Sequence, residues 1–233
     1  MKRVLYYTVS VLLWFTLYSC SRDESNKTKS DIWDIEKDGI PEFVSTNYIE
    51  LDKIYRISRY RSSIGHDYSD AFEDCRSMKH YFEPRAGVDW AQINIYSPVS
   101  GKITRLEQEW TGTKIEICSD DYPAFRFQIF HIYLTTQLEL NSMVTAGDLL
   151  GKHIGIETYS DISVIVNDIT RQGRMVSYFE VMTDELFAEY QSYGILNRDT
   201  LIISKTQRDA NPLTCFGDVF TSIDPIECWI YLN

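Results

Sequence analysis

From Ile93 to Val166 the chain is a succession of short β-prone runs, each broken by turn-forming residues, and this pattern limits the fold more than any other feature. Ile93 to Tyr96 precedes Ser97-Pro98-Val99-Ser100-Gly101, and Lys102 to Leu106 follows it. Proline fixes one backbone angle and glycine tolerates a positive φ, so together they mark a tight reversal between strands. Trp110-Thr111-Gly112-Thr113 makes a further turn, Lys114 to Cys118 a strand, and Phe125 to Leu134 a longer strand. The glycine turn of Val144 to Gly151 leads to a last strand, Asp161 to Val166. Short strands joined by short turns pair antiparallel, so a mainly β domain is expected.

Strand alternation gives these side chains directions. In the long strand Phe127, Ile129, His131 and Tyr133 are expected on one face, with Gln128, Phe130, Ile132 and Leu134 on the other. In the last strand Asp161, Ser163 and Ile165 point one way and Ile162, Val164 and Val166 the other, so the polar pair faces together. Tyr122, Phe125 and Phe127 suit a core more than a substrate groove. Tyr48 to Tyr60 is expected to hold an earlier strand, whereas Phe72 to Pro84, carrying Cys75, Arg76, Lys79 and His80, shows no clear period. Beyond Asn167, Thr183 is the expected N-cap of a helix with Asp184 and Glu185 in its first turn and Gly194 at its stop. Leu201 to Ser204 suits a short strand.

Met1-Lys2-Arg3 and the apolar run Val4 to Leu17 have the form of an export signal, too short for a membrane span. Leu17-Tyr18-Ser19-Cys20 resembles a bacterial lipobox, which implies a lipid on Cys20 and attachment to a membrane through it. Ser21 after the cysteine suits an outer-membrane destination. Removing Lys2 and Arg3 with the leader leaves 21 basic against 34 acidic side chains, a mature net charge of −13, which argues against nucleic acid as a partner. The expected organisation is a signal peptide over 1–19, a polar tether over 20–45, a β domain over 46–166 and a C-terminal extension over 167–233 with one helix. Cys75, Cys118, Cys215 and Cys228 in an exported chain favour disulfides, with three pairings open.

Ser62 to Asp70 reads Ser-Ser-Ile-Gly-His-Asp-Tyr-Ser-Asp. His66 and Asp70, four residues apart, are an imidazole and a carboxylate that could both reach one divalent metal. Together with Tyr96-Ser97-Pro98-Val99-Ser100-Gly101, Phe130-His131-Ile132, and Val144-Thr145-Ala146-Gly147 with Leu150-Gly151, this order of motifs over 59–166 resembles the lysostaphin-like M23 (LytM-type) metallopeptidases of bacterial cell walls. The resemblance implies a mainly β, antiparallel LytM-like domain of duplicated hybrid motif, or barrel-sandwich, form, with a small α/β C-terminal extension. It also implies His66 and Asp70 as zinc ligands and His131 as a catalytic histidine.

The late His-x-His of that family is absent. Asp161-Ile162-Ser163 stands in its place, so Asp161 would replace a catalytic histidine and Ser163 a zinc ligand, and a serine hydroxyl is a poor zinc ligand at neutral pH. His80 could stand in as a ligand, while Asp67 and His153 are expected at the surface. Two expectations for His66, Asp70, His131 and Asp161 follow. One is a rearranged zinc site that activates water; the other, favoured by the lost histidines, is a polar groove inherited from a peptidase. The implied function is an envelope lipoprotein that binds peptidoglycan or its stem peptides or regulates their turnover. The alternatives are an active zinc endopeptidase cutting peptidoglycan cross-links and a structural lipoprotein that binds a protein partner.

Overall fold

A computed structural model of the chain describes residues 29–156 and 158–233. The expected leader, the lipidation site Cys20 and the first part of the tether lie outside the described residues. The strands are β1 (Ile54–Ser58), β2 (His80–Pro84), β3 (Asn94–Tyr96), β4 (Gly101–Glu109), β5 (Gly112–Ser119), β6 (Phe125–Leu134), β7 (Met143–Val144), β8 (Leu149–His153), β9 (Ser160–Asn167), β10 (Gln172–Val176), β11 (Cys215–Phe216), β12 (Val219–Phe220) and β13 (Trp229–Tyr231). The helices are α1 (Ile35–Asp38), α2 (Asp184–Ser192) and α3 (Lys205–Ala210). One sheet runs in the order β13-β1-β2-β9-β6-β5-β4-β7, with β10 added to β9 and β8 joining β6 to β3. Its strand pairs are antiparallel, so the mainly β expectation holds. No helix among the described residues is long and apolar enough to cross a bilayer.

The central strands β6 and β9 separate two interiors. Phe125, Phe127 and Ile129 of β6 and Ile162, Val164 and Val166 of β9 enter the main core with Phe82, Tyr178 and Phe179. Burying such side chains stabilises the fold by roughly 1.5–3 kcal/mol each, so the core fixes the register of these strands. On the other face Gln128 pairs with Ser163, and Tyr81 with Asp161. A smaller apolar cluster of Tyr60, Met78 and Met175 lies there too, with Tyr68 and Ile165 packed against it. The common face expected for Asp161 and Ser163 is therefore this second one.

His131 departs from the expected alternation. Between the Thr113↔Ile132 and Ile115↔Ile129 pairs, β6 spends two residues, Phe130 and His131, against Lys114 of β5. His131 takes a φ of 62°, a backbone state uncommon outside glycine. Such a bulge breaks the period of two, so Ile132 follows Phe127 and Ile129 into the core and His131 does not.

Residues 33–45 are not a free tether. The Trp33 ring meets Tyr122 edge-on at 5.4 Å, and Ile35 and Val44 are buried in the main core. Asp34 caps α1 by accepting the Lys37 N–H. The few apolar residues of this polar stretch are its anchors. Residues beyond 166 also share the sheet and core, through β10, β13, Phe179 and Tyr190. Thr183 Oγ1 accepts the Leu186 N–H at 3.3 Å at the start of α2, as its sequence implies. Leu201 to Ser204 is not a strand: a 3-10 turn covers Arg198–Leu201, and Ser204 caps α3 by accepting the Gln207 N–H. The serine hydroxyl offers that amide a partner no strand would supply. Cys75 and Cys215 form a disulfide, and Cys118 and Cys228 remain free.

Candidate functional site

The polar centre of the second face is built on Lys79, which the sequence left in a segment without period. Lys79 Nζ donates to Asp161 Oδ2 at 2.7 Å, with 2% and 0% of the two side chains exposed. The ammonium also lies 3.4 Å from the centre of the Phe130 ring and 4.2 Å from that of Tyr68. Aromatic faces attract a cation through their quadrupole, most strongly where water is excluded. Burial would push the Asp161 carboxyl up, but the Lys79 ammonium, with His131 beside it, more than offsets this and holds it below the ordinary aspartate value. Burial pulls Lys79 down from the ordinary lysine value against the pull of Asp161. The direction that governs the pair is that of Asp161, a carboxylate with potential cations on two sides.

The second of these is His131. Its Nε2 lies 3.1 Å from Asp161 Oδ1, off the line of a good hydrogen bond, so that buried oxygen has a close neighbour but no aligned donor. Nδ1 of the same ring donates to the Thr111 carbonyl at 3.2 Å. Both ring nitrogens thus face oxygen acceptors. Deeper along the strands, Gln128 Oε1 accepts from Tyr68 Oη at 2.6 Å and from Ser163 Oγ at 3.3 Å, while its Nε2 donates to Glu116 at 2.8 Å. Ser163 is consumed in this network.

His66 and Asp70 face different cavities. His66 borders the cleft that also holds His131, and its Nδ1 donates to the Asp67 carbonyl at 2.9 Å. Asp70 borders a separate cavity with Arg61 and Arg174, and its two oxygens accept the backbone N–H groups of Phe72 and Met175, both at 2.9 Å. A spacing of four brings side chains together on a helix, and this segment is a loop. Asp67 is not merely solvated: its Oδ1 accepts from Ser69 Oγ and the Arg76 N–H.

The other histidines are buried. His80 Nδ1 donates to the Ser58 carbonyl at 2.8 Å and Nε2 accepts from Ser177 Oγ at 2.7 Å, which leaves no lone pair for a metal. Burial lowers its pKa to about 4. His153, expected at the surface, is 1% exposed, packs against Trp90 with ring centres 5.8 Å apart, and is likewise lowered to about 4 by burial. Tyr122, Phe125 and Phe127 belong to the core side, as their strand positions imply.

These donors do not fit a zinc ion, which takes four convergent ligands at about 2.0–2.3 Å. Asp70 is spent on backbone amides in another cavity, Asp161 is paired with an ammonium that would repel a dication, and Ser163 serves Gln128. No three metal-ligating side chains cluster among the described residues.

The cleft itself has a volume of about 670 Å³. Gly65, His66 and Tyr81 line it together with Trp110, Thr111 and His131. Gly65 has a φ of 77°, and a Cβ there would collide with the Tyr81 phenol, so the glycine sets how close this ring comes. The cleft's aromatic lining was not legible as a site, since Trp90, Trp110 and Tyr159 are scattered through the sequence.

No family model matches the chain, and no curated protein matches it. Among solved structures it is similar to Csd3 from Helicobacter pylori, at 15% identity over 65% of this chain and 39% of that one, with a TM-score of 0.44. It is similar to the deep-sea M23 metalloprotease pseudoalterin at 18% identity, over 57% of this chain and 74% of that one, with a TM-score of 0.36. The catalytic domain of lysostaphin from Staphylococcus simulans matches at 15% identity, over 48% and 81%, with a TM-score of 0.35. Likeness of this extent is too slight to fix a family or an activity.

Proposed function

We propose that this chain is an exported, lipid-anchored envelope protein whose M23-like cleft binds peptidoglycan stem peptides without cutting them. The observation that carries the non-cutting half is the Lys79–Asp161 pair. A buried ammonium, fixed 2.7 Å from the carboxylate that stands where the motif order expects a catalytic histidine, makes that carboxylate a partner of the protein's own cation. Neither Asp161 nor Ser163 is free to take up the roles of the missing histidines. What remains at the cleft is a surface suited to binding, with His66 and His131 at its edge and aromatic walls.

The envelope location and the wall-peptide ligand are supported by the leader and lipobox pattern, the mature charge of −13, and the order of motifs between 59 and 166. Sedimentation with purified murein sacculi tests the binding half. Retention in the pellet above a control protein of similar charge, with no soluble wall fragments released, is the expected result. Recovery of all the protein in the supernatant would overturn wall binding and leave a scaffold for a protein partner.

A further inference from the structure

The cleft carries chemistry that the polar centre beneath it does not use. Trp90 and Tyr159 line it with ring centres 6.0 Å apart, and Trp110, 90% exposed at the β4–β5 turn, stands at its rim. Glu109 and Asp218 border the same space, and neither is ion-paired among the described residues. Tyr81, only 3% exposed, borders it as well, with its phenolic oxygen closed off from solvent beneath Gly65.

We propose that this cleft binds a primary ammonium group carried on a peptide, against its lining of Trp90, Trp110 and Tyr159, with Glu109 and Asp218 supplying opposite charge. The proposal deepens the wall-peptide reading and rests on it for the peptide, though not for the ammonium. Aromatic faces with carboxylates are a recurrent environment for ammonium groups, because ring quadrupole and charge act in the same sense. The chain holds its own Lys79 in this way one layer down, against Phe130, Tyr68 and Asp161, with the shared Tyr81 ring 5.8 Å away. An anionic ligand would meet the two unpaired carboxylates and a chain of net charge −11. A neutral sugar could also stack on these rings, but it would leave both carboxylate charges uncompensated.

The test uses the purified full chain and three probes: acetyl-Lys-D-Ala-D-Ala, the same peptide with its ε-amine acetylated, and chitotetraose, each titrated by tryptophan fluorescence and calorimetry. The free-amine peptide is expected to bind at least about tenfold more tightly than the acetylated one. That preference is expected to weaken with salt and to disappear in a Glu109→Gln, Asp218→Asn variant with an unchanged melting temperature. Trp110→Ala, a change at an exposed position, is expected to weaken the free-amine peptide as well. Equal binding of the two peptides, a preference for chitotetraose, or no binding of either peptide would overturn the proposal.

Sacculi with chemically acetylated amines separate the two claims. Retention on native but not acetylated sacculi supports both. Equal retention on the two keeps wall binding and removes the ammonium site. Binding of the free-amine peptide without retention on any sacculus keeps the ammonium site and removes the wall.

Discussion

Lys79 Nζ, from the residue just before β2, lies 2.7 Å from Asp161 Oδ2 of the neighbouring β9, with neither side chain open to solvent. Removing one partner leaves an uncompensated buried charge, which typically costs about 3–5 kcal/mol, whereas replacing both by apolar groups is often neutral. Lys79→Met is therefore expected to lower stability by about that amount, and Lys79→Met with Asp161→Leu to recover most of it. Urea denaturation of the wild type, the single variant and the double variant measures this. A single-variant loss below about 1 kcal/mol would show that the pair is not the buried ion pair described.

His80 gives the protein an acid sensitivity with a defined window. Burial lowers its pKa from 6.5 to about 4, so between those values the unfolded chain binds a proton that the folded chain does not. Stability is then complete above pH 6.5 and falls as the pH drops towards 4, by about 3 kcal/mol from this group. His153, lowered in the same direction, adds to the slope. His80→Gln is expected to flatten the curve of stability against pH in that window, and an unchanged slope would assign the effect elsewhere.

The Cys75–Cys215 bond links the loop that carries His66 to the C-terminal residues across 140 positions. Closing a loop of that length restricts the unfolded chain by about 4–5 kcal/mol in the chain-entropy account. Reduction, or Cys75→Ser, is expected to lower the denaturation midpoint clearly, while Cys118→Ser is expected to leave it nearly unchanged. Mass mapping under non-reducing conditions would detect any other pairing.

Much of the scaffold was legible because its signals are local. Phe125 to Leu134 is a strand over those residues, Thr183 caps its helix, and Asp161 and Ser163 share a face, each a consequence of alternation or of one hydrogen bond. The site was less legible because it depends on contacts between distant segments. The bulge at Phe130 and His131 contains no glycine to announce it, yet it redirects the histidine out of the expected alternation towards Asp161. Lys79 looked like one charge in an aperiodic stretch. The signal that could have found it is Met78-Lys79-His80-Tyr81-Phe82, a lysine among residues suited to a buried strand, matched by Asp161 inside another such run. The spacing of His66 and Asp70 misled because it presumes a helix or a metal to draw the two together. Asp70 instead finds the amides of Phe72 and Met175.

The central claim, that an internal ammonium and not a metal organises this site, is tested most directly by elemental analysis of protein purified without chelator and then equilibrated with zinc and desalted. The wild type and a His66→Ala, Asp70→Ala variant are expected to retain the same trace of zinc, far below one ion per chain. About one zinc per wild-type chain, lost in the variant, would contradict the account and restore a metallopeptidase.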